Sequence, residues 1–315
     1  MDLESNVGES SVRHVDGRPV IVGEILFDRF PDGSKVLGGA PLNVAWHLHA
    51  FGQKPLVVSR IGDDEPGNEV LDAMEAWGLD SSAVQIDPVK PTGSVAVELD
   101  RGMPRFDIVE DQAYDHLDGG DARAAIDGCR PALFYHGSLI ARRRSTERAL
   151  RSLREWIQVP IFVDVNLRSP WWRREQIVGL IRGARWVKLN DGELQQLSER
   201  NGDSPEAGAE LVAAELCRRH GIEEMVVTCG DRGAFVWVGG RSVAGRPPEQ
   251  VEIVDTVGAG DAFSAVWIVG LLRGWSPATT LVRALDFAVA ICGIRGATTT
   301  DRRLYDLHLE AWGQS

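Results

Sequence analysis

Cysteine is scarce in this 315-residue sequence, and long apolar runs are missing. Of the four cysteines no two form a C-x-x-C pair, and the closest are Cys217 and Cys229. Isolated cysteines of this kind are typical of small buried residues in a reducing compartment. No apolar run approaches the ~20 residues that a membrane span needs. Residues 1–18 are mainly polar and contain no secretory signal region, so we expect a flexible tail, a cytoplasmic location and no membrane contact.

An excess of positive charge is also missing. The formal net charge is -12, from 34 Lys and Arg against 46 Asp and Glu. A protein that follows a phosphate backbone normally carries the opposite sign, so we expect no nucleic-acid partner. The one basic cluster extends from Arg142 to Arg154, and its arginines recur three or four residues apart. That spacing indicates a solvated helix face.

Several common enzyme motifs do not occur. The sequence has no G-x-x-x-x-G-K-[ST] loop, no G-x-G-x-x-G dinucleotide fingerprint, no H-E-x-x-H and no G-x-S-x-G. These absences argue against P-loop kinases, Rossmann dehydrogenases, zinc proteases and α/β-hydrolases.

The residues that are present predict an α/β protein. Apolar residues make up 43% and charged residues 25% of the chain, which is ordinary for a globular domain. Strand-like and helix-like segments alternate, as in a doubly wound, mainly parallel sheet flanked by helices. The predicted strands are Val20–Leu26, Lys54–Ile61, Leu133–Tyr135, Ile161–Val165, Trp186–Leu189, Met225–Thr228 and Ala234–Val238. The predicted helices are Leu42–Phe51, Pro66–Trp77, Ser145–Ile157, Asp191–Arg200, Ala207–His220, Ala259–Arg273 and Pro277–Ile294.

A different pattern near residue 100 predicts a small β-sheet lid. Val95, Val97 and Leu99 alternate with polar or small residues, Arg101-Gly102 supplies a turn, and the alternation then resumes. This is typical of a hairpin with one apolar face. We therefore predict one kinase-sized domain over residues 19–315, with a lid formed by about residues 90–112. An isolated hairpin is marginal in water, so a second subunit could cover it.

The segment Asp255 to Phe263, DTVGAGDAF, carries the clearest chemistry. It follows the strand-like stretch Val251–Val254 and opens a long apolar helix. Gly258, Ala259 and Gly260 are small, so their backbone amides can approach an anion at the helix N-terminus. Asp261 lies in the same turn. An anion cradle beside a carboxylate suits phosphoryl transfer to a hydroxyl, because the amides stabilise the phosphate charge and the carboxylate accepts the proton.

That segment resembles the second signature of the ribokinase-like (PfkB-type) carbohydrate kinases. The segment from Gly38 to Gly67, GGAPLNVAWHLHAFGQKPLVVSRIGDDEPG, resembles the first signature, and the resemblance extends from about Val20 to Thr300. It implies a doubly wound α/β domain with a β-sheet lid. It also implies transfer of the terminal phosphate of ATP, with Mg²⁺, to a sugar hydroxyl, with Asp261 as the catalytic base.

The resemblance also assigns residues to the sugar. Glu24 and Asp28 resemble a first-strand motif whose Asp hydrogen-bonds sugar hydroxyls. Glu98, on the predicted lid, is equally well interpreted as a sugar contact or as an edge-strand charge that discourages aggregation. The remaining residues implied at the sugar are Gly38, Gly39, Asn43, Asn166 and Arg168.

For the nucleotide, Asn190 and Glu193 resemble an N-x-x-E motif, in which the Glu holds hydrated Mg²⁺. The segment from Ala288 to Ala297 resembles the region that encloses the adenine. Members of this family can also bind a monovalent cation such as K⁺ near the Asp255 loop. The other residues implied at ATP are Thr228, Gly230, Gly233, Asp255 and Thr256.

The choice of sugar rests on finer details. Two segments resemble those of the fructokinase-like branch, namely GGAP followed by x-N-V-A, and DVNLRSPWW. Ala40 stands where many ribokinases have a lysine. Glu110 falls where 2-keto-3-deoxygluconate kinases place an arginine for their substrate's carboxylate, so repulsion there favours a neutral sugar. Ribose, a nucleoside, a sugar phosphate or the keto-acid stays open as the acceptor. So does a non-catalytic sugar- or nucleotide-binding regulator. A homodimer through the lid is expected.

Overall fold

The computed structural model describes residues 16–100, 103–198, 205–248 and 252–313, with the backbone alone at 98–100, 103–105 and 205–207. Its strands are β1 (Arg18–Val22), β2 (Leu26–Arg29), β3 (Lys35–Gly38), β4 (Leu56–Gly62), β5 (Val84–Asp87), β6 (Gly93–Asp100), β7 (Met103–Ile108), β8 (Pro131–His136), β9 (Ile161–Asp164), β10 (Trp186–Asn190), β11 (Glu224–Thr228), β12 (Ala234–Val238) and β13 (Arg241–Gly245). Its α-helices are α1 (Ala40–Ala50), α2 (Glu65–Trp77), α3 (Gly119–Asp127), α4 (Arg144–Trp156), α5 (Arg174–Ile181), α6 (Asp191–Leu197), α7 (Pro205–His220), α8 (Ala259–Arg273), α9 (Pro277–Cys292) and α10 (Arg302–Ala311).

The large sheet has nine strands in the order β13-β12-β11-β10-β9-β8-β1-β4-β5. Pairing is parallel from β5 to β11, and β12 and β13 continue the sheet antiparallel. Strands buried on both faces are apolar almost throughout, as Val20, Ile21 and Val22 show. Ile21 packs into the core on one side of the sheet, and Val20 and Val22 pack into the core on the other. The predicted doubly wound α/β fold is confirmed.

Helix α8 runs through the core beside α1 and α9. Every residue from Ala262 to Gly270 is buried, so the helix is apolar all round rather than on one stripe. Gly270 makes the crossing with α9 possible, since a Cβ there would lie 2.4 Å from the Thr280 Cγ2. Packing on all sides holds the N-terminal turn of α8 at the carboxyl edge of the parallel strands, where ligands bind on such sheets.

The small sheet has four strands in the order β3-β2-β6-β7, and only the last two correspond to the predicted hairpin. The prediction of one strand over Val20–Leu26 was wrong. Strand β1 ends at Val22, and β2 begins at Leu26 in the other sheet. Gly23 lies between them, and a Cβ there would lie 2.1 Å from the Pro41 ring. An unbroken apolar run thus hides the point where the chain passes from one sheet to the other.

Two further predictions need correction. No strand forms over Glu252–Val254, because the N–H groups of Val254 and Asp255 both donate to the Cys292 carbonyl at the end of α9, at 2.8 and 3.1 Å.

The basic cluster is a solvated helix face only in part. Arg142 precedes α4, and its buried side chain pairs with Asp115 at 2.6 Å.

Among the described residues, no helix is long and apolar enough to cross a bilayer.

Candidate active site

The N-terminal turn of α8 forms the centre of the site. Its N-cap is Gly258, whose φ of 81° lies in the left-handed region that disfavours a side chain. A Cβ at Gly258 would also lie 2.4 Å from the Ala297 Cβ, because the loop between α9 and α10 packs directly on this residue. Ala259 and Gly260 follow in the first turn, where backbone N–H groups have no helical acceptor, and the Ala259 N–H makes only a long bond to the Thr256 carbonyl at 3.4 Å. The turn can therefore receive an anion.

A second helix N-terminus meets this turn. The side-chain amide of Asn43, in the first turn of α1, donates to the Asp261 carboxylate at 2.8 Å. Gly39, the N-cap of α1, has φ 107°, and a Cβ there would lie 2.5 Å from the Glu24 carbonyl oxygen. Glycine is thus required for the chain after β1 to pass close to α1. The two signature regions predicted from the sequence meet at the bond between Asn43 and Asp261.

The carboxyl groups in this region have perturbed pKa values. Burial raises the pKa of Asp261 from 3.8 to about 6, although the hydrogen bond from Asn43 opposes that rise. Burial also raises the pKa of Glu24 from 4.5 to about 7 and raises the pKa of Asp28. The charge of Arg168 lowers the pKa of all three groups, so its exposed guanidinium lies near each of them. Such a cluster is typical of a functional site.

Asp28, Gly38 and Asn166, all predicted at the sugar, lie on or just after strands β2, β3 and β9. Asp28 lies on β2, and a Cβ added to Gly38 on the paired strand β3 would lie 3.5 Å from its Oδ2. Asn166 follows β9 and has φ 38°, a left-handed conformation that Asn tolerates better than most residues. Glu98 lies on β6, but its side chain is outside the described part of the chain, so its predicted sugar contact stays a prediction.

Both oxygens of the Glu193 carboxylate accept backbone N–H groups. Its Oε1 accepts from the Leu167 N–H at 2.7 Å and its Oε2 accepts from the Asn190 N–H at 2.8 Å. The side chain is 6% exposed, and burial raises its pKa. Each oxygen keeps a second lone pair, which can accept from a water of a hydrated Mg²⁺ ion, so the residue fits the predicted water-mediated contact and the metal role stays a prediction.

The residues predicted at the nucleotide begin at the ends of β10 and β11. Asn190 and Thr228 are direct partners in the register of these strands. Gly230 and Gly233 shape the turn that follows, with φ of 61° and 97°. Asp255 accepts from the Val257 and Gly296 N–H groups, both at 3.0 Å, and so joins the two loops that flank Gly258. Thr256 is exposed in the same loop. These predicted residues share one edge of the sheet.

Two charged residues lie beneath this edge; sequence reasoning missed Lys188 and noted Asp164 only as part of the DVNLRSPWW segment. Lys188 and Asp164 are buried partners on β10 and β9, with the Lys188 Nζ 2.9 Å from the Asp164 Oδ2. A lysine within the apolar strand WVKLN was the available signal, because buried lysines need a partner. Among the described residues, no group of three or more His, Cys, Asp or Glu could hold a metal ion.

Comparisons with known proteins agree with this geometry. A model of pfkB family carbohydrate kinases matches residues 18–303. The chain belongs to this family. It is 30% identical to fructokinase-1 of Zea mays over 303 residues, which cover 92% of this chain and 90% of that protein. It is 26% identical to a 2-dehydro-3-deoxygluconokinase of Thermoproteus tenax over 275 residues, which cover 83% of this chain and 81% of that protein.

A solved structure gives the same fold. A fructokinase double mutant from Vibrio cholerae O395, bound to fructose, ADP and potassium, superimposes with a TM-score of 0.75 at 23% identity, covering 93% of this chain and 99% of that one. The resemblance to the fructokinase-like branch of the pfkB family is confirmed, and the chain is an ATP-dependent carbohydrate kinase.

Proposed function

We propose that this kinase transfers the γ-phosphoryl group of MgATP to a hydroxyl of a neutral hexose such as fructose. The observation that carries the proposal is the position of Asp261. Its carboxylate lies in the anion-binding turn of α8, and Asn43 orients it at 2.8 Å. A base and an anion cradle in one helical turn are the two parts that transfer to a hydroxyl requires.

The pKa of Asp261 suits the role of general base. A pKa of about 6 leaves the carboxylate ionised at neutral pH while bringing its proton affinity closer to the operating pH. Asp261 takes the proton of the attacking hydroxyl, and the amides of Ala259 and Gly260 hold the negative charge on the transferred group. Thr228, Gly230 and Gly233 bind the rest of ATP. Glu193 and Asn190 would hold waters of a bound Mg²⁺ ion, which would supply neutralisation of the phosphate charge.

The acceptor is held from the opposite side. Asp28, Gly39 and Asn43 meet the sugar where the small sheet joins the large one, with Arg168 at the exposed rim. The structures of relatives favour this arrangement, since the Vibrio cholerae protein binds fructose and ADP on the same fold. Closure of the small sheet over the sugar excludes water and limits ATP hydrolysis.

The surroundings of Glu110 keep the acid 2-keto-3-deoxygluconate open as a second candidate. Glu110 shares a cavity of about 400 Å³ with Arg142, Arg143 and Arg144. Two of these arginines are already paired, Arg142 with Asp115 at 2.6 Å and Arg143 with Asp111 at 3.1 Å. The cavity is therefore nearly balanced in charge, and Glu110 still argues for a neutral acceptor, but less strongly than an isolated carboxylate would.

We also propose that two copies associate through the small sheet. Val36 is 46% exposed and Phe106 is 50% exposed, and these apolar side chains lie on its two edge strands, β3 and β7. Exposed apolar edges of a small sheet are a liability in a monomer. Pairing with a second lid would cover them.

A panel of acceptors tests the proposed function. ADP release from MgATP would be measured with D-fructose, D-ribose, 2-keto-3-deoxygluconate, adenosine and fructose 6-phosphate. We expect fructose or another neutral hexose to give the largest kcat/KM. A preference for 2-keto-3-deoxygluconate would replace the neutral acceptor with an acid. Tight ATP binding without turnover on any acceptor would contradict the proposal and favour a regulatory binding protein.

A further inference from the structure

A buried ion pair lies directly beneath the catalytic turn. Lys188 and Asp164 are register partners on neighbouring parallel strands, and both face α8. The Lys188 Nζ lies 3.1 Å from the Asp164 Oδ1 and 2.9 Å from its Oδ2. Lys188 is 7% exposed, and Asp164 is buried. The pair is thus fixed within the core rather than held loosely at the surface.

The pair is connected to α8 on both sides. The Ser264 Oγ, one turn after Gly260, lies 2.7 Å from the Asp164 Oδ2 and 3.0 Å from the Gly260 carbonyl oxygen. The Tyr135 hydroxyl donates to the same Asp164 oxygen at 3.4 Å. A Cβ built on Gly260 would lie 3.3 Å from the Lys188 Nζ, so the ammonium packs against the second residue of the helix.

Stability alone does not explain this arrangement. Removing two charges from water costs several kcal/mol per ion, and apolar residues of similar volume often give equal or greater stability. The ammonium also lies at the positive end of the helix dipole, which is an unfavourable place for a cation unless an anion joins it. Phosphoryl transfer brings such an anion to the other side of the same turn.

We propose that Lys188, held by Asp164, which Ser264 contacts in turn, is a positioning residue for phosphoryl transfer: it supports the first turn of α8 from inside and adds positive charge behind its amides. The inference rests on the proposed function of Asp261 as the base. It assigns to the pair two separable effects, one on the ionisation of Asp261 and one on the rate of transfer.

The effect on ionisation has a sign for each partner. The charge of Asp164 raises the pKa of Asp261, and the charge of Lys188 lowers it. Removing only the ammonium should raise that pKa, and removing only the carboxylate should lower it. Removing both should leave it near the wild-type value. The other groups that act on Asp261 stay in place in all three variants, namely Asn43, Arg168, Glu24 and Tyr135.

The test is a double-mutant cycle with the kinase assay as readout. Lys188→Met, Asp164→Asn and the double variant would be compared in kcat across pH 5–9 and in Tm. We expect the acid limb of the Lys188→Met profile to move up by on the order of half a pH unit or more, and that of Asp164→Asn to move down. The double variant should recover the wild-type limb but keep a kcat lowered roughly 10-fold or more, because the charge behind the amides is gone.

The control is a second ion pair away from the site. The Arg60 Nε on β4 lies 2.9 Å from the Asp87 Oδ2 on β5. Removing this guanidinium in Arg60→Met should lower Tm without moving the acid limb of the kcat profile. Each single variant leaves one buried charge unpaired, a carboxylate in Lys188→Met and an ammonium in Asp164→Asn, so either can fail to fold. The double variant buries neither charge and still tests the proposal, since a wild-type kcat in it would overturn the role of Lys188.

The outcomes separate the two claims. If Asp261→Asn is inactive and the acid limb does not differ among the three variants, the inference about Lys188 is overturned and the proposed function stands. If the double variant regains the wild-type kcat together with its Tm, the pair is purely structural. If Asp261→Asn is as active as the wild type, the base assignment fails and the inference fails with it.

Discussion

Gly258→Ala perturbs the anion-binding turn without touching a charged group. The residue has φ 81°, a conformation that costs an alanine about 1–2 kcal/mol. A Cβ would also lie 2.4 Å from the Ala297 Cβ and 2.9 Å from the Ala297 carbonyl oxygen. The strain cannot be relieved by a rotamer change, because the Ala297 backbone itself is in the way. The turn carrying Ala259 and Gly260 must therefore shift.

The expected loss of activity follows from that shift. A misplacement on the order of 1 Å in a catalytic group costs about 10²-fold in rate, and loss of one donor to the developing charge costs a similar factor. We expect kcat with the preferred sugar to fall roughly 100-fold in Gly258→Ala, measured by ADP release. Circular dichroism should still report a folded protein.

The control is Gly183→Ala, at the turn that follows α5. Gly183 has φ 70°, but a Cβ there would meet nothing within 4 Å. The backbone strain is comparable, and the collision is absent. We expect Gly183→Ala to lower Tm and leave kcat unchanged. Equal activity of the two variants would refute the argument that Gly258 aligns the site.

Three other predictions each concern a single side chain. Asn43→Ala removes a hydrogen bond that lowers the pKa of Asp261. The acid limb of the kcat/KM profile should therefore move from about pH 6 to higher pH. An unchanged limb would mean that Asn43 does not bind the ionised base. Asp261→Asn should raise Tm at pH 8 by on the order of a few degrees, since a raised pKa means that the carboxylate destabilises the fold when ionised. That gain should be complete above about pH 6 and disappear as pH falls to 3.8, and a constant difference across pH would argue against it. Phe106→Lys, at an exposed apolar side chain of the lid, should give a monomer in sedimentation analysis, and a surviving dimer would place the interface elsewhere.

The sequence predicted the parallel sheet well because buried strands and helices carry their own patterns. Helix α8 begins and ends at the predicted residues, Ala259 and Arg273, since glycine lies just outside each end. The lid was harder. Strands β2 and β3 have only four residues each, and pairing with β6 and with each other specifies them more than their own composition does.

The site could be predicted where a motif keeps its chemistry within one segment, as in Asp255–Phe263. Contacts between distant segments could not be predicted from the sequence. Nothing in the sequence indicates that Asn43 donates to Asp261, 218 positions away, or that Lys188 pairs with Asp164 under Gly260. Glu193 has the expected spacing for a metal ligand, and the same spacing suits the helix-capping bond from the Asn190 N–H; the bond from the distant Leu167 N–H is revealed only by the fold.

The most direct measurement compares Asp261→Asn with the wild type in phosphoryl transfer and in ATP binding. The amide keeps the shape of the side chain and can still accept from Asn43, but it cannot take a proton from a hydroxyl. General-base catalysis typically contributes ~10²–10⁴ in rate, so kcat should fall by at least about 100-fold while the Kd for ATP stays within a few-fold of the wild type. A variant that binds ATP normally and keeps most of its kcat would contradict Asp261 as the base.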